Sequence, residues 1–238
     1  MECFICKKPI SGRYYSDAFE RKMCDSHLNN EAVSCSSCSG FTTKEHLLND
    51  GRYQCNTCFG MALKPGDNID QIKKNVINSL NRVGFDDLKI EDITIEIVTA
   101  QKLSEITKRP INTNNKGIVR SQTSMSGIFG GKSLKHTIFI LTHLNKIEFA
   151  GSLAHEMLHA WQVQNNVSMS PKMTEGFCNL GAALIWKNQS FTLSKIYAKN
   201  LNESPDPIYG DGYREMDSLL QEMGWQELIA KVKNKKIV

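Results

Sequence analysis

The chain has 238 residues, a formal net charge of +4, 40% hydrophobic and 23% charged residues. That length allows one small module plus one domain of about 170 residues. No apolar run reaches the roughly 18 residues of a membrane span. Lys7, Lys8, Arg13, Arg21 and Lys22 are scattered without a regular aromatic interleave, so the charge does not mark a nucleic-acid binder.

Seven of the eight cysteines lie between Cys3 and Cys58. They read Cys3-x2-Cys6, Cys24-x2-His27, Cys35-x2-Cys38 and Cys55-x2-Cys58. Paired knuckles of this kind are the spacing of structural zinc, whereas disulfides are the competing reading. Sequential pairing gives one site of Cys3, Cys6, Cys24 and His27 and a second of Cys35, Cys38, Cys55 and Cys58; interleaved pairing would span longer loops. Four protein ligands close each shell, so these sites fold the segment and do not catalyse. A stretch with so few large apolar residues needs such staples. Thiolates and two Zn²⁺ would bring the formal +4 close to neutral. Met1-Glu2-Cys3 runs straight into the first knuckle, so no secretory signal is expected, and a cytoplasmic protein is expected.

Lys64-Pro65-Gly66-Asp67 reads as a boundary. The expected division is a LIM-like zinc module over residues 1–62 and a second domain over 63–238. Ile69, Ile72, Val76 and Leu80 then recur at helical spacing, closed by Gly84. Residues 93–98 alternate as a half-buried strand, 117–120 form a weaker strand, and 137–141 a stronger one. Gly127, Gly130 and Gly131 mark a turn before the third strand. That strand is expected to line a cleft and pair with an extended peptide.

His155-Glu156-Met157-Leu158-His159 lies in a helix-forming apolar run. Residues four apart share a helix face, so both imidazoles can reach one Zn²⁺, with Glu156 beside them as general base. A solvated helix carrying two histidines is the bland alternative, and Leu153, Ala154, Met157, Leu158, Ala160 and Trp161 argue against it. A catalytic zinc needs a third protein ligand. Glu175 is the candidate, because Asn165-Asn166 stops the first helix and Ser170-Pro171 starts a returning one that runs to about Lys187. The alternative for Glu175 is a carboxylate that only favours a helix N-terminus. Gly176 would let helices approach closely. Asn179 is either a partner for the carboxylate or a histidine ring, or an ordinary helix-surface residue. Cys178 reads as a small buried residue. His46, His136 and His143 stand alone and read as solvated or hydrogen-bonded. A Pro/Gly-rich break covers 204–212, and two helices split at Gly224 follow. Lys231, Lys233, Lys235 and Lys236 read as a solvated helix end.

These knuckles, the Gly151–Trp161 run, Glu175-Gly176 and Tyr209-Gly210-Asp211-Gly212-Tyr213-Arg214 resemble the DA-one-like family of LIM-domain zinc metallopeptidases, known from plant growth control. The resemblance covers most of the chain, is densest at 151–178 and weakest at 65–115. It implies an α+β, zincin-like peptidase of gluzincin type behind a LIM-like module. In the plant proteins the peptidase is tied to the ubiquitin system and cleaves regulatory proteins. With two residues before Cys3, the upstream ubiquitin-interacting segments are expected to be missing, as in a compact stand-alone relative. The resemblance also points to Tyr209 or Tyr213 as an oxyanion donor, each with a packed aromatic as the alternative.

The expected function is a zinc peptidase acting on protein or peptide substrates. It would bind one catalytic and two structural zinc ions, and its module would recruit or orient a protein partner. The competing reading is a non-catalytic LIM-like adaptor; a zinc-ribbon nucleic-acid binder is a third. Neither a nucleic acid nor a membrane is an expected partner.

Overall fold

A computed structural model describes residues 1–28, 30–126 and 131–235 of the chain. Gly127, Gly130 and Lys236, singled out above, lie outside the described residues. The architecture is a mixture of helices and small sheets.

The cysteine-rich segment is built from two antiparallel hairpins and one short helix. Strand β1 (Tyr14–Ser16) pairs with β2 (Lys22–Cys24), β3 (Val33–Ser34) pairs with β4 (Phe41–Thr42), and α1 spans Asn56–Gly60. Hairpins this short do not stand alone in water. The fold of this segment therefore depends on what joins its cysteines.

Helix α2 (Asp70–Val83) buries Val76 and Leu80 and ends where Gly84 takes the left-handed conformation at φ 115°, as its spacing predicted. Strand β5 (Ile93–Val98) follows. The next element, α3 (Ala100–Thr107), was not anticipated. Its signal is present in the chain: Thr99 Oγ1 accepts the Lys102 amide at 3.1 Å, and Leu103 and Ile106 fall on the buried face.

Strands β6 (Gly117–Ser126) and β7 (Gly131–Leu141) complete a three-stranded sheet of order β5-β7-β6, parallel at β5/β7 and antiparallel at β6/β7. This corrects the expectation for residues 137–141. β7 is the central strand, hydrogen-bonded on both sides, and has no edge to offer a peptide. β5 and β6 are the two edge strands of this sheet, and β6 is the edge that packs against α4. The Leu141 amide donates to the Lys116 carbonyl at 2.8 Å, and alternation along the ladder turns the backbone groups of Gly117 and Val119 away from β7.

Helix α4 (Lys146–Gln164) lies across β6 and β7. It is buried nearly all round by Phe149, Leu153, Met157, Leu158 and Trp161. Asn166 at φ 53° turns the chain into α5 (Pro171–Lys187), with Ser170 as the capping side chain as expected. Gly181 allows the α4/α5 contact, since a Cβ there would lie 2.9 Å from the Leu158 side chain and 3.1 Å from the Ala154 carbonyl. An aromatic cluster seals the back: Phe85 meets Trp161 edge-on at 5.1 Å, and Trp161 stacks on Phe177 at 5.7 Å.

Helix α6 (Thr192–Asn202) leads to α7 (Gly210–Lys233), which kinks at Gly224 (φ 75°, ψ 170°), the expected split. The break drawn over 204–212 is too long, because α7 already begins at Gly210. Its first glycines serve close packing. A Cβ on Gly210 would fall 2.2 Å from the Ser204 carbonyl oxygen, and one on Gly212 2.3 Å from that of Lys172. Lys233 is not simply solvated either: its Nζ donates to Asp87 at 2.7 Å and sits over the Trp161 ring. Among the described residues no helix is long and apolar enough to cross a membrane.

Candidate metal centre and cleft

Helix α4 presents His155 and His159 one turn apart, and α5 brings Glu175 onto them from the opposite side. The two Nε2 atoms are 3.1 Å apart, and Glu175 Oε2 lies 3.2 Å from His155 Nε2 and 3.4 Å from His159 Nε2. A tetrahedral shell with bonds of about 2.0–2.1 Å has edges of about 3.3–3.4 Å, so the triangle has the size of three ligands on one ion. Glu175 Oε2 is buried and has no hydrogen-bond partner among the described residues, which leaves it available to a cation. Burial opposes its charge, yet the two imidazoles hold its carboxyl at about 2.

The ring of His155 has a defined tautomer. Asn179 Nδ2 donates to the Tyr209 carbonyl at 3.0 Å, which fixes the amide's orientation. Its Oδ1 then faces His155 Nδ1 at 2.9 Å and can only accept. Nδ1 therefore carries a proton, which leaves Nε2 as the ring nitrogen turned towards Glu175 and open to a metal. Of the two readings of Asn179, the structure selects the partner of a histidine ring. Cys178, read from sequence as filler, has a second contact. It is fully buried, donates to the Gln162 side-chain oxygen at 3.5 Å and neighbours His159. Nothing in its local sequence signals this.

Glu156 is almost fully buried and turns towards β6. The outward-facing Val119 amide lies beside its carboxylate and favours the charged form. Gly117 leaves room for it, since a Cβ there would come 2.9 Å from Glu156 Cγ and Oε1. Burial pushes the Glu156 carboxyl up, against the pull of His155 and His159. The triad and Glu156 open on a cleft of about 660 Å³ between α4, β6 and the loop ahead of β6, with Arg109, Lys116, Trp186 and Tyr209 on its walls.

Tyr209 and Tyr213 separate clearly. Tyr209 borders the cleft and is half exposed, whereas Tyr213 is 1% exposed, with its hydroxyl towards Asp217. Tyr213 is a packed aromatic. Arg214 ties the preceding loop together through the Asn202 and Ser204 carbonyls. His143 borders a separate hollow with Leu47 and Ile111, and His136 is buried against the Ser121 hydroxyl at 2.8 Å.

The cysteines cluster as the sequential pairing has them, with Cys3, Cys6, Cys24 and His27 in one group and Cys35, Cys38, Cys55 and Cys58 in the other. The Cys6–Cys24 and Cys38–Cys55 sulfurs are 4.0 and 3.8 Å apart, against an edge of about 3.8 Å for a tetrahedral shell with bonds of about 2.3 Å. His27 Nδ1 faces Glu31 at 3.1 Å, and its buried Nε2 is without a hydrogen-bond partner among the described residues, aimed as a ligand would be. All eight described cysteines are free thiols. These groups can hold metal ions, and their dimensions are consistent with zinc.

No solved structure matches the chain. It is 22% identical over 295 residues to Protein DA1-related 7 of Arabidopsis thaliana, across 98% of this chain and 52% of that protein. The chain thus spans about half the length of the curated relative it matches. The family model described as DA1-like, Protein DA1, matches residues 69–192, a stretch that holds α2, the sheet, α4 with its two histidines and α5 with Glu175. The chain belongs to the DA1-like family.

Proposed function

We propose that this protein is a zinc-dependent peptidase with a zincin-like catalytic domain and two structural zinc sites in its cysteine-rich segment. The observation that carries the reading is the convergence of His155, His159 and Glu175 on one point, with the buried Glu156 carboxylate beside it in an open cleft. Zinc in such a shell supplies Lewis acidity and lowers the pKa of a water towards about 7.

The chain's own residues do the rest. Glu156 accepts the proton of the attacking water and delivers it to the leaving amine. The nearby Val119 amide favours the charged form of that carboxylate, against the effect of burial. Asn179 keeps the proton of His155 on Nδ1, so the other nitrogen stays a ligand. The free edge of β6 gives an extended peptide main-chain hydrogen bonds, and this registers the scissile bond over Glu156. Tyr209, at the rim of the cleft, is the candidate donor to the oxyanion. The substrate is a peptide or protein segment in extended form, and the cysteine-rich segment is a candidate surface for a protein partner. Cysteines held as metal ligands and not as disulfides suit a reducing, cytoplasmic setting.

The test compares wild type with Glu156→Gln on a peptide library, alongside zinc content by elemental analysis. Cleavage lost with three zinc ions retained supports the proposal. Zinc bound in the triad with no turnover of any library member in wild type would instead favour the adaptor reading.

A further inference from the structure

The four-cysteine cluster and the start of α4 share one residue. Asn145 is fully buried and caps α4. Its Oδ1 accepts the amides of Ile147 and Glu148, each at 3.0 Å. Its Nδ2 donates to the Tyr197 hydroxyl at 2.5 Å and points at Cys58 Sγ, 3.9 Å away. One amide group therefore faces the helix with its oxygen and the cysteine cluster with its nitrogen.

The surroundings reinforce this link. Leu193 and Tyr197 of α6 pack on the four cysteines together with Ile147 and Trp186. Trp186 donates to the Ile147 carbonyl at 3.1 Å, lies where a Cβ on Gly151 would fall, and lines the catalytic cleft. The stretch before α4 is tied down from the cysteine side as well. Arg52 donates to the Thr142 carbonyl at 2.7 Å and Gln54 to that of His143 at 2.6 Å. The Leu63 amide donates to the Leu144 carbonyl at 2.8 Å. His155 follows Asn145 by ten residues, about 15 Å along a stiff helix.

We infer that Asn145 is a positioning residue that couples the four-cysteine site to the His155/His159/Glu175 site, so that occupancy of the first sets the geometry and metal affinity of the second. The inference rests on the reading of both clusters as metal sites. Its physical basis is the position of the Cys58 sulfur beside Asn145 Nδ2. A metal-bound thiolate accepts the Asn145 N–H and holds the amide with its oxygen towards α4. A metal that draws Cys35, Cys38, Cys55 and Cys58 together fixes Cys58 Sγ where the Asn145 N–H meets it, and the empty cluster lacks that constraint. Coupling of this kind is reciprocal between the two sites.

The experiment uses the full chain loaded with ¹¹³Cd²⁺, whose NMR signal separates sites with four sulfurs, three sulfurs and a nitrogen, or two nitrogens and a carboxylate. Asn145→Ser keeps a capping oxygen but removes the donor to Cys58. Tyr197→Phe, a milder change, removes only the hydroxyl partner and serves if the first variant folds poorly. Both are expected to move the four-sulfur and triad resonances together and leave the Cys3/Cys6/Cys24/His27 signal in place. Metal affinity of the triad, by chelator competition, should fall about tenfold in Asn145→Ser. A triad resonance and affinity indifferent to both substitutions, in a protein showing all three signals, overturns the coupling alone. A wild type without a triad resonance overturns the metal reading and the coupling with it.

Discussion

Gly176→Ala tests the packing that holds Glu175 in place. A Cβ on Gly176 would stand 2.2 Å from the Gly212 carbonyl oxygen and 2.4 Å from its carbonyl carbon, both backbone atoms of α7. Ordinary contact begins near 3.4 Å, so α5 and α7 must separate by roughly an ångström, and no side chain can swing aside. Overpacking of this kind costs about 1–3 kcal/mol. The gain in helix propensity of Ala over Gly, about 1 kcal/mol, offsets only part of that. A net loss of up to about 2 kcal/mol corresponds to a Tm lower by up to roughly 8 °C in a chain of this size. The displacement also reaches the site, because the Tyr209 carbonyl just before α7 holds Asn179, and Asn179 holds His155. Thermal unfolding by circular dichroism gives the first quantity, and zinc retention against a chelator gives the second. Gly60→Ala is the control, a helical glycine with open space where its Cβ would be. If Gly176→Ala matched the control in Tm and kept its zinc, the close helix crossing would not be what places Glu175.

Two further outcomes are expected. Glu175→Gln should lose the triad metal nearly as completely as Glu175→Ala while keeping two zinc ions in the cysteine clusters, because a neutral amide oxygen is a poorer donor; elemental analysis after dialysis measures this. Asp87 accepts from Trp161 Nε1 at 2.9 Å and from Lys233; burial opposes its charge, but these partners hold its carboxyl below the usual carboxylate range. A depressed folded-state value gives stability that is present above the unfolded pKa of about 3.9 and lost as pH falls through the folded one. Asp87→Asn should thus lower Tm at neutral pH and converge with wild type in acid, and a Tm difference independent of pH would count against the ion pair.

Some of this protein was legible from local chemistry alone. The i, i+4 geometry of a helix puts His155 and His159 on one face whatever surrounds them. Two-residue spacing makes Cys3/Cys6, Cys35/Cys38 and Cys55/Cys58 act in pairs, and Ser170-Pro171, Gly84 and Gly224 mark backbone events that depend on a few adjacent residues. Glu175 was reachable too, because one loop and one turn of helix separate it from His159. What lay beyond is everything set by contacts between elements far apart in the chain. Residues 137–141 read as a strand, but only the arrival of β5 and β6 on its two sides made it central and left the edge beside α4 to Gly117–Val119. Tyr209 and Tyr213 are equivalent as letters, and the helix that begins between them turns one to the cleft and the other to the core. Asn179 found His155, and Asn145 found Cys58, across 24 and 87 positions of chain. A side-chain amide carries a donor and an acceptor on one planar group, so its identity is written in the sequence, but its partners exist only once the fold has closed around it.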